Sequence, residues 1–291
     1  MTTETDGKIL RRLEKWQAGP EALPVHLQLY RDLLLCQHSI GPDVTAPKRR
    51  LGAEAAIERL SVGMPLLTFD ELDIDWSLLP DMFCQVVAVV ARYPQVSGEF
   101  PQGLLEKPPS TSWLREAARL WFEAARLPPM ETGDCGDEDL VAQLIQASLR
   151  PFLVGHGSAL IGLVDQETWR RGYCPVCGGS SDIALLDKEN GARWLLCSRC
   201  DAQWLFQRLQ CPYCNTTKQS ALSYLTDDKG AYRLYLCDCC KCYLKAIDLR
   251  QADHEVLLPL ERYLMLPYDT QALSEGYTPG DRKRSLQKAP A

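Results

Sequence analysis

The sequence predicts an α+β chain: an N-terminal all-helical domain, two tandem cysteine-bearing antiparallel β units, then a short C-terminal helix with a flexible tail. Three observations predict it. Residues 1–169 carry apolar side chains at helical spacing between Pro and Gly breaks. Ten of the 13 cysteines fall between Cys174 and Cys242, in four paired stretches. Across 170–250 short apolar and aromatic runs alternate with turn signals. The expected domains are 1–169 (helical), 170–209 (first four-cysteine ribbon), 210–250 (second four-cysteine ribbon) and 251–291 (helix and tail).

The helices follow from spacing. In 24–40, Leu29, Leu33, Cys36 and Ile40 form a stripe that Gly41-Pro42 ends. In 111–127, Leu114, Ala117, Trp121 and Ala124 form one stripe and Arg115, Arg119, Phe122 and Arg126 another. Pro108-Pro109 precede this helix and Pro128-Pro129 stop it. From about Glu138, Leu140, Val141, Leu144, Ile145 and Leu149 make an apolar face, and Pro151 is expected to kink or break the helix before 152–164. The stretch 93–110 reads as a loop.

The strands come as a repeat. IALLD (183–187) and RWLLC (193–197) flank a turn at Asn190-Gly191, and ALSYLTD (221–227) and YRLYLC (232–237) flank DKGA. Arg193-to-Cys200 aligns with Arg233-to-Cys240 without gaps, which marks one unit used twice. The last dozen or so residues are polar, basic and Pro-containing, and are expected to lack order.

A C-x-x-C turn sets two sulfurs on one side of a tight loop, and two such knuckles offer four thiolates in a tetrahedron. That suits zinc, or iron held as in rubredoxin, so the two β units are read as rubredoxin-like or zinc-ribbon units. Cys174, Cys177, Cys197 and Cys200 form one candidate metal set; Cys211, Cys214, Cys237 and Cys240 form the second. A closed four-cysteine site has no open coordination position, which excludes hydrolysis at the metal; electron transfer stays open with iron. The fourth knuckle, CDCCKCY, also holds Cys239 and Cys242, an offset C-x-x-C. The ligand pair is therefore 237/240 or 239/242, and alignment with Arg193-to-Cys197 favours the former. Such small ribbons cannot bury enough core unaided, so metal is expected to supply folding energy on the order of 10 kcal/mol per site.

Charge narrows the function. The chain has net charge −6, and 170–250 carries twelve Lys/Arg against eight Asp/Glu. Two divalent ions on eight thiolates cancel that excess, which disfavours a nucleic-acid binder, apart from a local patch at Arg170, Arg171, Arg193 and Arg199. The start, MTTETDGKIL, has no signal-peptide pattern, and the apolar run 152–164 is too short to span a bilayer. A cytoplasmic protein is expected, with no membrane partner.

The runs WRRGYCPVCGG (169–179), CSRCDAQW (197–204), RLQCPYC (208–214) and CDCCKCYLK (237–245) resemble the formate dehydrogenase accessory protein FdhE family. GMPLL (63–67) and ALSEGY (272–277) add fainter similarity. The resemblance implies a cytoplasmic chaperone-like maturation factor, not an enzyme, that binds the catalytic subunit of formate dehydrogenase. It also implies iron in two four-cysteine sites formed by the eight cysteines above, with zinc the alternative. Two competing readings are a zinc-ribbon nucleic-acid-binding protein and a thiol oxidoreductase using Cys239 and Cys242. Among other candidates, Cys36 reads as a packed hydrophobe, Cys135 as a loop thiol, and the acidic run DELDID (70–75) as a solvated loop rather than a docking patch. The four histidines show no mutual spacing that suggests a site, and Trp194 is read as filling a ribbon core.

Overall fold

The structure is a computed structural model that describes residues 4–39, 51–98, 100–130 and 138–280. Cys135 and Ile40 lie outside the described residues. The helices are α1 (Glu4–Gln17), α2 (Val25–His38), α3 (Ala53–Ser61), α4 (Leu79–Val90), α5 (Pro94–Ser97), α6 (Gln102–Glu106), α7 (Thr111–Phe122), α8 (Glu138–Leu160), α9 (Leu258–Leu264) and α10 (Leu266–Ser274). The strands are β1 (Ser181–Leu186), β2 (Arg193–Cys197), β3 (Gln203–Phe206), β4 (Leu222–Thr226), β5 (Tyr232–Cys237), β6 (Cys242–Asp248) and β7 (Thr278–Pro279). The chain divides into two units, Met1–Arg49 with Phe69–His156, and Arg50–Thr68 with Gly157–Ala291. N-terminal helices, a cysteine-rich sheet and a short C-terminal helical piece agree with the predicted fold class; that last piece is α9 and α10, divided at Met265.

The first unit is helical. α2 buries Leu27, Tyr30, Leu34 and Gln37, one step around from the stripe read in the sequence. Its apolar residues run nearly all round, so spacing alone does not fix the buried face. α7 begins at Ser110, whose hydroxyl accepts from the Trp113 N–H at 3.2 Å, and buries Trp113, Leu114, Ala117, Ala118, Trp121 and Phe122. Phe122 therefore belongs to the core rather than to the arginine face. The helix ends well before Pro128: Ala124 takes φ 58° and the Ala125 N–H bonds Leu120 O at 2.8 Å, a Schellman-type stop. The stretch 93–110, read as a loop, contains the short helices α5 and α6.

Pro151 does not break α8, which runs unbroken for 23 residues. Proline removes the N–H that would bond the carbonyl four residues back, Ala147 O. The buried Gln37 amide supplies the missing donor at 2.8 Å. His156 is buried near the end of the same helix. Its Nδ1 donates to Phe152 O at 2.8 Å and its Nε2 accepts from the Asp73 N–H at 3.3 Å, and burial lowers its pKa. The acidic run at 70–75 is no continuous charged face, since Leu72 and Ile74 are buried and Asp75 caps the turn at Ser77.

The second unit is built on one sheet, in the order β3-β2-β1-β6-β5-β4, with β7 beside β6. Each repeat contributes a three-stranded meander, one strand more than the predicted hairpin. β3, β6 and the two-residue β7 are strands that the sequence pattern does not announce. The two meanders merge because β1 pairs with β6 in parallel, Ile183 opposite Lys245 through Leu186 opposite Asp248. β6 is thus central and buried along its whole length. Its sequence, CYLKAID, carries Lys245 and Asp248, and their charges hide it from a reading by hydrophobic runs.

The two hairpin turns use the same device. Asp187 accepts from the N–H groups of Glu189, Asn190 and Ala192 at 2.8–3.1 Å, and Asp227 accepts from the Tyr232 N–H at 2.9 Å. Gly191 (φ +69°) and Gly230 (φ +73°) supply the left-handed turn residue. One sheet face packs Ile183, Leu185, Leu196 and Ile247 against Leu258 and Met265, with Trp194 at the margin of this core as the sequence reading had it. Lys245 reaches the α10 Asp269 at 2.7 Å and Arg262 O at 3.0 Å, while the Tyr243 hydroxyl donates to Asp269 at 2.7 Å. Two residues of the Tyr-Leu-Lys stretch thus fasten α10 to β6.

Candidate metal centres

Each knuckle is shaped by a local rule. The residue after the second cysteine sits in the left-handed region in all four: Gly178 (φ 71°), Asp201 (53°), Asn215 (59°) and Lys241 (56°). That conformation turns the chain back, so the backbone closes five residues after the first cysteine. The N–H of Cys174 bonds Gly179 O at 2.8 Å, Cys197 bonds Ala202 O at 2.9 Å, and Cys211 bonds Thr216 O at 3.0 Å. In the fourth knuckle the partner of Cys237, five residues on, is Cys242, its opposite number between β5 and β6.

This resolves the crowding at 237–242. Cys242 occupies the closing position that Gly179, Ala202 and Thr216 hold elsewhere, and its thiol is buried, donating to Cys240 O at 3.6 Å. Cys239 is a loop residue between the pair, exposed, with its thiol toward Thr216 Oγ1 at 3.7 Å. The sulfurs that gather with Cys211 and Cys214 are those of Cys237 and Cys240. A pairing of 239 with 242 would need a two-residue slip of β5 against β6, at the cost of the register that sets Arg233 opposite Ala246.

The eight predicted cysteines therefore form two groups, Cys174, Cys177, Cys197 and Cys200, and Cys211, Cys214, Cys237 and Cys240. Within each, all sulfurs lie within 4.8 Å of one another. Across the knuckles, Cys174 and Cys200 stand 3.6 Å apart, Cys177 and Cys197 3.4 Å, Cys211 and Cys240 3.7 Å, and Cys214 and Cys237 3.6 Å. A regular sulfur tetrahedron around zinc, with bonds of about 2.3 Å, has edges of about 3.8 Å. The donor sets fit a four-coordinate ion. Burial pushes the Cys174 thiol well up, as a thiolate away from water requires a cation nearby. A bound divalent ion supplies that charge.

The two clusters are held at close quarters. A Cβ at Gly172 would lie 1.8 Å from Pro212 O, so the segment before the first knuckle passes directly over the third. A Cβ at Gly157, near the end of α8, would lie 2.5 Å from Cys200 O. The stretch 63–67 lies along the first knuckle: Leu66 and Leu67 donate to Pro175 O and Val176 O at 2.9 Å, and the Tyr173 hydroxyl donates to Gly63 O at 2.8 Å. The stretch 272–277 serves the fourth, where the Tyr277 hydroxyl bonds Asp238 at 2.9 Å. Trp204, fully buried, donates to Arg171 O at 2.9 Å. Arg193, one of the four arginines of the basic patch considered from sequence, is buried and adds nothing to a surface charge.

Comparison with known proteins agrees with the geometry. The family model described as "FdhE, central domain" matches residues 173–208. "Protein FdhE homolog" of Aquifex aeolicus is 30% identical over 149 residues, half of this chain and 52% of that one. "Protein FdhE homolog" of Pseudomonas aeruginosa is 29% identical over 287 residues, 92% of this chain and 86% of that one. "Protein FdhE" of Escherichia coli K12 is 29% identical over 110 residues, 37% of this chain and 35% of that one. The chain thus aligns with about half of the Aquifex protein and about a third of the E. coli one. A solved structure, "The crystal structure of the FdhE protein from Pseudomonas aeruginosa", shares the fold with a TM-score of 0.62 at 22% identity, over 98% of this chain and 96% of that one. Family model, curated relatives and shared fold all point the same way: the chain is similar to FdhE proteins, in its cysteine knuckles by the family model and along most of its length by the Pseudomonas relative.

Proposed function

We propose that this chain is a cytoplasmic accessory factor that binds the catalytic subunit of formate dehydrogenase during its maturation and catalyses no reaction of its own. Cys174, Cys177, Cys197 and Cys200 hold one metal ion, and Cys211, Cys214, Cys237 and Cys240 hold a second. Iron is favoured and zinc is the alternative. The regions 170–209 and 210–250 each act as a metal-dependent half of the shared sheet, between the helical 1–169 and the C-terminal 251–291. The observation that carries this reading is the pair of closed four-sulfur clusters. Four protein ligands leave a metal no open position for substrate, so each ion serves structure or electron transfer rather than Lewis-acid chemistry.

No helix among the described residues is long and apolar enough to cross a membrane. That supports an encounter with the partner in an aqueous compartment. The decisive experiment is co-purification of the tagged chain with the formate dehydrogenase catalytic subunit, paired with formate oxidation in a deletion strain. Capture of the subunit and loss of formate oxidation are expected. No capture together with normal oxidation defeats the proposal. Anaerobic purification with elemental analysis and a visible spectrum decides the metal, because ferric iron held by four thiolates absorbs visible light and zinc does not.

A further inference from the structure

A cavity of about 340 Å³ opens beside the second cysteine cluster. Its volume falls at the lower end of the range for small-molecule sites, about 300–1,000 Å³. Three arginines line it, Arg193, Arg208 and Arg233, and no Asp or Glu is among the lining residues. Side chains alternate along a strand, and Leu234, Leu236 and Tyr243 pack toward α10. Arg233, Tyr235, Cys242 and Leu244 therefore project from the opposite sheet face, away from that helical cover.

The arginines are not equivalent. Arg233 is answered by Asp248 at 2.5 Å, which Arg250 shares at 2.7 Å. Arg193, its counterpart in the first repeat, is 3% exposed, yet no carboxylate lies within ion-pair distance of it among the described residues. Its Nη2 donates to Gln207 O and Gln210 O, and its Nε has no partner. Arg208 is exposed and likewise forms no ion pair among the described residues. Rings link the buried cations. The Arg193 guanidinium stands 5.7 Å from the Tyr235 ring, Tyr235 stands 5.7 Å from Tyr224, and the Arg233 guanidinium stands 5.0 Å from Tyr224. Burial costs the Arg193 cation, which no carboxylate among the described residues answers and which the Cys211 thiolate offsets from a distance, and a guanidinium over ring faces is a preformed seat for a flat anionic group.

We propose that this cavity binds a small organic anion with a flat apolar body, an aryl carboxylate or aryl phosphate. The anionic head meets Arg193 and Arg208, and the ring stacks on Tyr224 and Tyr235. Carboxylate and phosphate share the geometry that a guanidinium fork reads, so both belong to the proposed class. The cavity adjoins the second metal centre, whose Cys211 and Cys237 are part of its lining, and the proposal does not depend on the formate dehydrogenase assignment.

The test is calorimetry on the full, metal-loaded chain with benzoate and with phenyl phosphate, and with neutral benzamide as control. Saturable one-to-one binding of at least one anion is expected, with benzamide weaker by about 10-fold or more. The two anions against each other identify the head group. Arg208→Ala and Tyr224→Ala, both at exposed positions, are each expected to weaken binding about 5-fold or more, with metal content and melting unchanged. No saturable binding of either anion up to about 10 mM overturns the proposal. So does equal binding of benzamide, or binding that survives both substitutions. Salt-sensitive retention of oligothymidylate with no response to either anion replaces it with a single-strand nucleic-acid surface.

Discussion

The two cysteine clusters come from one repeated unit, yet their surroundings differ. In the first, all four sulfurs are buried, the 63–67 backbone is hydrogen-bonded along the knuckle, Gly157 stands against Cys200 O, and Arg262 donates to Cys197 O at 3.1 Å. In the second, Cys214 is half-buried, Cys239 is exposed beside it, and the arginine-lined cavity adjoins. Repetition has kept the geometry of the sulfurs and changed what covers them. The first is wrapped as a permanent core would be; the second is reachable by solvent and small molecules.

That contrast can be broken at several points. The largest effect is expected from Cys174→Ser, which removes a proposed ligand from a buried cluster and should abolish cooperative melting of the second unit; a normal melting curve by circular dichroism would refute a structural role for the proposed first metal. Cys214→Ser, at the open edge of the second knot, should lower stability by less than Cys174→Ser. Next comes metal removal. A chelator in excess should withdraw two ions in separate phases, and Cys214→Ser should speed the faster phase alone, as followed by metal release against time; equal rates for both ions would erase the distinction. Cys242→Ala keeps a small closing residue like Ala202 and should cost about 1 kcal/mol in a denaturant titration, with both metals retained. Loss of one metal would instead make Cys242 a ligand. The smallest effect belongs to Cys239→Ser, within about 0.5 kcal/mol of the parent, because its thiol is exposed and lies at 3.7 Å from Thr216 Oγ1, a contact a serine hydroxyl can keep.

The cysteine pattern and its flanks were legible because their chemistry is local. Ligand spacing, the turn at Asn190-Gly191 and the match of Arg193 with Arg233 are short-range facts. What escaped was long-range. The buried face of α2 depends on neighbours that its sequence does not name, because its apolar residues are spread around the helix. β6 escaped because Lys245 and Asp248 look like surface residues until Asp269, Arg233 and Arg250 answer their charges. Pro151 was expected to disturb α8, and the compensating donor, Gln37, lies 110 residues away from the carbonyl it satisfies. The 63–67 motif looked faint in isolation; its meaning is the backbone pairing with Pro175 and Val176. The place of Cys242 emerges only when all four knuckles are laid over one another.

The parallel seam between β1 and β6 bears on the order in which the chain is made. Leu186 leaves the ribosome 62 residues ahead of its partner Asp248. At synthesis rates of about 5–20 residues per second, that interval lasts on the order of 3–12 seconds. Once β3 is complete at Phe206, the first meander has a bare β1 edge for the rest of that interval, open to pairing with another nascent chain. Early capture of a metal by the first four cysteines would give that half a folded form while it waits. Slow metal supply should therefore appear first as aggregation of newly made protein, before any loss in the mature pool.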